Sequence, residues 1–118
     1  MLLDIFDLYE EIIDDYEIIS FRSEAGSYEL IAVLQFVVTS ELYIKEYLFQ
    51  DTVRKYAYHW QTDKGKLIIR WDNARHWKNI SAYPHHKHYG VVGKVKPSEE
   101  HTLEKVLEFI KEDVWGQH

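Results

Sequence analysis

Leu2, Ile5, Phe6, Tyr9, Ile12, Ile13 and Tyr16 recur every three or four positions with acids between them, a spacing that predicts an amphipathic helix over residues 2–14. From Glu17 the period falls to two, through YEIISFRS, SYELIAVLQFVV and ELYIKEYLF, with EAGS and a Thr39-Ser40 turn between them. SYELIAVLQFVV is nearly continuous in apolar residues, as in a central strand covered on both faces. VRKYAYHWQ and KLIIRWD follow as a second hairpin joined by TDKG, in which Gly65 can take a positive φ. NARHWKN then breaks the alternation, NISAYP resumes it weakly, and GVVGKVKPS has loop composition. Pro97 and Ser98 open a final helix, with Ser98 as N-cap and Glu99 and Glu100 in the first turn. Leu103, Val106, Leu107, Ile110 and Val114 form its apolar stripe.

These elements predict an α+β domain spanning residues 1–118: an antiparallel meander of five to six strands flanked by an N-terminal and a C-terminal helix. Both helices are expected over one sheet face. The other face is then open, unless the sheet curls on itself or a partner covers it.

Composition narrows the chemistry. Apolar residues make up 46% of the chain and charged residues 29%, the balance of a folded protein, and its nine Tyr and four Trp favour sheet. With no cysteine, disulfides, thiolate zinc sites and Cys nucleophiles are excluded together. The start, MLLDIFDLYEEI, lacks a basic leader, and no apolar run has membrane-spanning length, so a cytoplasmic protein without a membrane partner is expected.

Charge divides the chain unevenly. Residues 1–52 carry twelve acids and two bases, residues 53–97 two acids and ten bases, and residues 98–118 six acids and two bases. The basic middle also holds five of the seven histidines. Such a segment in a protein of net charge −6 suggests a local anion-binding face. Mutual neutralisation of the three segments is the plain alternative.

A four-residue TDKG loop pairs Gln61 with Lys66, Trp60 with Leu67, His59 with Ile68, Tyr58 with Ile69 and Ala57 with Arg70. Tyr58 and Trp60 then share the apolar face with Leu67, Ile69 and Trp71, while His59, Arg70 and Asp72 face the other way. His59 and Arg70 become diagonal neighbours needing an acid or an anion between them; Asp72 or a phosphate would serve. A simple Arg70–Asp72 salt bridge on a solvated face is the structural alternative. Asn73 is expected to turn the chain, leaving His76 on the following loop.

In PHHKH, an extended backbone would project His86 and His88 together and His85 oppositely. With Asp72, His59 or His76 as third ligand, His86 and His88 could hold zinc or another divalent metal. Acid–base chemistry fits the same residues without a cofactor. Attack of an RNA 2′-hydroxyl on its own phosphate needs a base, an acid and cations: His59, His76, His86 or His88 as base and acid, Arg70 and Lys87 holding the phosphate, and Asp72 orienting an imidazole. Arg54, Lys55, Arg75, Lys78 and His85 are the candidate nucleic-acid contacts. Of the interleaved aromatics Tyr56, Tyr58, Trp60, Trp71, Trp77, Tyr83 and Tyr89, any on the basic face are candidates to stack on bases, whereas Tyr58, Trp60 and Trp71 should be core.

YxYHWQ, LIIRWDNARH and YPHHKH, in that order, resemble the signature of the TumE-like toxin family. The matching positions are Tyr58, His59, Trp60 and Gln61; Arg70, Trp71, Asp72, Asn73, Ala74 and His76; and Pro84, His85, His86, Lys87 and His88. Arg75 departs from the family's usual proline and Tyr83 from its frequent phenylalanine. The resemblance implies a growth-inhibiting toxin neutralised by a small antitoxin, commonly a DNA-binding protein encoded next to it. RNA and a second copy of the chain are further candidate partners. A metal-independent ribonuclease is the first functional expectation; a non-enzymatic RNA- or protein-binding module and a metal-dependent hydrolase are the alternatives.

Overall fold

The computed structural model describes residues 2–49, 54–73, 86–89, 95–97 and 101–115. Its elements run α1 (Leu2–Leu8), β1 (Ile13–Glu24), β2 (Ser27–Phe36), β3 (Ser40–Leu48), β4 (Arg54–Thr62), β5 (Leu67–Asp72), β6 (His86–Tyr89), β7 (Val95–Pro97) and α2 (Leu103–Trp115). The strands form one antiparallel sheet in sequence order, β1 to β7, so the expected α+β meander between two helices is present. β1 to β5 are the strands read from the alternation. β6 falls on the histidine segment, and β7 forms where loop composition was read, its Val95 pairing with His88.

Alternation decides the two faces. Leu30, Ala32, Leu34 and Phe36 of β2, Leu42 and Ile44 of β3, Tyr56, Tyr58 and Trp60 of β4, and Ile69 and Trp71 of β5 are buried on one side. Phe6, Tyr9 and Ile12 cover them from the N-terminus and Leu103, Val106, Leu107 and Ile110 from α2. Both helices thus lie over the same face, and the Tyr9 hydroxyl pins one segment to the other by donating to Glu108 (3.0 Å). Burying each large side chain contributes about 1.5–3 kcal/mol.

Three local readings change. α1 ends at Leu8 rather than near residue 14, because Tyr9 to Ile12 leave the helix through turns. Ile12 is fully buried, and its carbonyl accepts from Val37 N–H (2.9 Å), tying the turn to the end of β2. The N-cap of α2 is Thr102, whose Oγ1 accepts from Lys105 N–H (3.2 Å); the predicted cap Ser98, with Glu99 and Glu100, lies outside the described residues. Ser40 opens β3 instead of ending a turn, and its buried hydroxyl accepts the Trp60 indole N–H (3.1 Å). The first hairpin turns at Ala25 and Gly26, with φ of 49° and 84°, the left-handed pair of a type I′ turn.

Among the described residues no helix is long and apolar enough to cross a membrane.

Candidate functional site

The register of the β4–β5 hairpin differs from the simple four-residue loop. Thr62 N–H donates to Lys66 O (2.8 Å) and Gly65 N–H to Thr62 O (2.9 Å), closing the turn. Gln61 pairs with Leu67 and Trp60 with Ile69, so Ile68 is an extra residue on β5. The bulge moves Leu67 opposite Gln61, off the face it was expected to share with Trp60, and Ile68 packs against the core. It also brings His59 directly opposite Arg70, not diagonal to it, and Ala57 opposite Asp72.

On the face away from the helices, Arg70 Nε donates to Asp72 Oδ2 (3.1 Å), and Arg70 Nη1 lies 3.3 Å from His59 Nδ1. His59 Nε2 in turn lies 3.0 Å from Gln61 Oε1. A guanidinium can only donate, so Nδ1 must offer its lone pair and the proton sits on Nε2, where it is donated to Gln61. Burial, then the Arg70 cation, hold His59 below its ordinary 6.5, against the opposing Gln61 bond. His59 is therefore neutral at pH 7, with both ring nitrogens engaged.

The expected Arg70–Asp72 pair is thus formed, but not on a fully solvated surface. The Asp72 side chain is 5% exposed and that of Arg70 39% exposed. The carboxylate and imidazole fix two edges of the guanidinium, leaving part of it towards solvent, an arrangement that suits a phosphate oxygen.

The backbone of the neighbouring strand β6 runs beside this row. His88 is paired with Arg70 and His86 with Asp72 in the β5–β6 ladder. Lys87 is paired with Trp71, and its Nζ lies 5.5 Å from the Tyr89 ring centre on the core side, so it stands apart from Arg70. Lys55 is exposed on the open face opposite Tyr47. Arg54 is on the helix side: its Nη1 donates to His101 O (2.7 Å), its guanidinium covers Tyr56 (4.4 Å), and Glu46 lies 3.7 Å away. Period-two alternation puts Arg54 with Tyr56 and Tyr58, so it does not join the anion-facing group. Arg75, His76, Lys78 and His85 lie outside the described residues, as do Trp77 and Tyr83.

Tyr56, Tyr58, Trp60 and Trp71 are buried and unavailable to a base. Tyr43 was not among the residues singled out from the sequence, yet it is paired with His59, with ring centres 6.3 Å apart edge to face, and it is exposed. Its alternation with Leu42 and Ile44 was the available signal. Asn73 does not serve merely as a turn residue. Its Oδ1 accepts from Tyr56 N–H (2.9 Å) and its Nδ2 donates to Arg54 O (2.7 Å), so the side chain continues the β4–β5 ladder past Asp72. Among the described residues no group of three or more His, Asp or Glu is arranged to hold a metal ion.

The fold and this row define a class: an α+β meander with an oriented arginine and a neutral histidine on the face away from α1 and α2. The family model described as Toxin TumE matches residues 2–114, and the chain belongs to that family. It is thus a toxin, and a cognate antitoxin is its implied partner. No curated protein and no solved structure matches the chain.

Proposed function

We propose that this toxin acts on RNA as a metal-independent endoribonuclease whose phosphate-binding group is Arg70. The observation that carries the reading is the double anchoring of Arg70 by the nearly buried Asp72 and the neutral His59. Such a guanidinium is held in place before the substrate arrives, so little reorganisation is needed as charge builds on the phosphorane.

His59 then positions and does not exchange protons, because its one lone pair faces an Arg70 N–H. The base and the acid fall to His86 and His88, at the positions paired with Asp72 and Arg70. One neutral imidazole takes the 2′-hydroxyl proton as that oxygen attacks the adjacent phosphorus. The other, protonated, gives its proton to the departing 5′-oxygen. The products are a 2′,3′-cyclic phosphate and a 5′-hydroxyl, with no metal consumed in the balance. Tyr43, exposed beside His59, supplies a ring for a flanking base.

The test is incubation of purified protein with cellular RNA, with and without EDTA, beside Arg70→Ala and a His86→Ala, His88→Ala double variant. Cleavage that resists EDTA and is lost in both variants is the expected result. Cleavage abolished by EDTA would transfer the reading to a metal-dependent hydrolase, and none in either condition to a binding module. Full activity in the double variant would remove β6 from the mechanism.

A further inference from the structure

β1 is an edge strand of the sheet, and its two faces differ in chemistry. The helix-side face carries Tyr16, Ile18 and Phe21, paired with Leu34, Ala32 and Leu30 of the buried core, yet all three are exposed, Phe21 by 51%. The core therefore runs to the sheet edge and stops uncovered there. Phe21 also lines a cavity of about 500 Å³ bounded by Ile5, Tyr28, Leu30, Glu46 and Leu103. The other face of β1 carries the exposed acids Asp15, Glu17 and Glu24 and one cation, Arg22, which is paired with Glu29.

We propose that the β1 edge is where the antitoxin docks, by adding an extended segment in which apolar and basic residues alternate. Its apolar residues continue the core over Tyr16, Ile18 and Phe21, and its basic residues meet Asp15 and Glu17 on the opposite face. Main-chain hydrogen bonds to the outer edge of β1, which pairs only with β2 among the described residues, supply affinity, and the alternation supplies specificity. Irregularities at Ile13/Asp15 and Ile18/Ser20 break the edge, leaving Ser20–Glu24 as its longest regular stretch, beside the cavity.

Charge selects this occupant over a second copy of the chain. Two β1 edges laid together would set Asp14, Asp15, Glu17 and Glu24 against the same acids, with Arg22 already 3.9 Å from Glu29. Like charges across a strand pair are destabilising, so the edge resists itself while accepting a basic segment. Four strand spacings put this edge roughly 19 Å from β5, so the docking surface is distinct from the Arg70 row.

The test is amide hydrogen exchange of the toxin alone and in complex with the antitoxin encoded beside it, without RNA. Amides of Tyr16 to Glu24 should exchange at least about 10-fold more slowly in the complex. Reversing two surface charges in an Asp15→Lys, Glu17→Lys variant should weaken the complex about 10-fold or more at low salt. Those positions are exposed, so circular dichroism should report an unchanged fold. No added protection at β1, unchanged affinity of the variant, or self-association of the toxin through this strand would each overturn the proposal. None of these readouts involves RNA cleavage, so the proposal stands or falls separately from the ribonuclease reading.

Discussion

Arg70 has no acceptor atom, and that property fixes the state of His59 beside it. Because Nδ1 takes a guanidinium N–H, His59 must be neutral, and its pKa falls below the usual value through burial and the Arg70 charge. Below pH 6.5 the unfolded chain binds this proton more readily than the folded one, so stability present above 6.5 is lost as pH falls through the folded value. Denaturant unfolding at pH 7.5 and 5 should show His59→Gln losing less stability across that interval than wild type. A bound phosphate reverses the effect, raising the His59 pKa, which an NMR titration with and without inorganic phosphate would read as an upward shift. Arg70→Lys keeps the charge but not the planar fork, and should lower cleavage by about 100-fold in initial-rate assays. At the first hairpin, Ala25 sits at φ 49°, where an L-residue is strained. Ala25→Asn should raise stability by about 0.5–1 kcal/mol in the same denaturant measurement.

At the level of elements, period-two alternation placed the faces of β3 and β4, whereas the nearly continuous apolar run of β2 suggested cover on both faces and the structure buries only Leu30, Ala32, Leu34 and Phe36, leaving Ile31 and Val33 half-buried on the other side. Alternation also puts His59, Arg70 and Asp72 on one face from the sequence alone. What alternation cannot show is a bulge: the extra Ile68 leaves the apolar pattern of LIIRW intact while changing which residue faces His59. The apparent helix to residue 14 misled for a related reason, since Ile12 and Ile13 satisfy helical spacing but are buried equally well by a turn and a strand end. Arg54 read as surface charge because nothing local announces its partners. Glu46, 8% exposed, comes from β3 and bonds Tyr28 (3.0 Å) and Tyr58. Glu46→Ala would leave that cation and both phenols short of their shared acceptor, and should cost about 3–5 kcal/mol in denaturant unfolding. Glu46→Gln should lose less, because it keeps an acceptor oxygen.

Across the whole molecule, the face away from α1 and α2 is divided. Asp15, Glu17, Glu29 and Glu41, with Arg22 and Lys45 among them, lie on β1 to β3, and Lys55, His59 and Arg70, with Asp72, on β4 and β5, so acids are in excess on the first group and cations on the second. The excess of acid before residue 53 and of base after it in the sequence becomes a spatial separation because the strands are laid down in chain order. A meander thus converts sequence segments into surface districts, one suited to a basic partner and one to a phosphate. On the proposed function, the second district cuts RNA by attack of the RNA's own 2′-hydroxyl. The most direct measurement is cleavage, in EDTA, of an oligoribonucleotide and of the same sequence made as DNA, with the new termini identified. Only the RNA should be cut, leaving 2′,3′-cyclic phosphate and 5′-hydroxyl ends; cleavage of both, or of neither, would rule out attack by the 2′-hydroxyl.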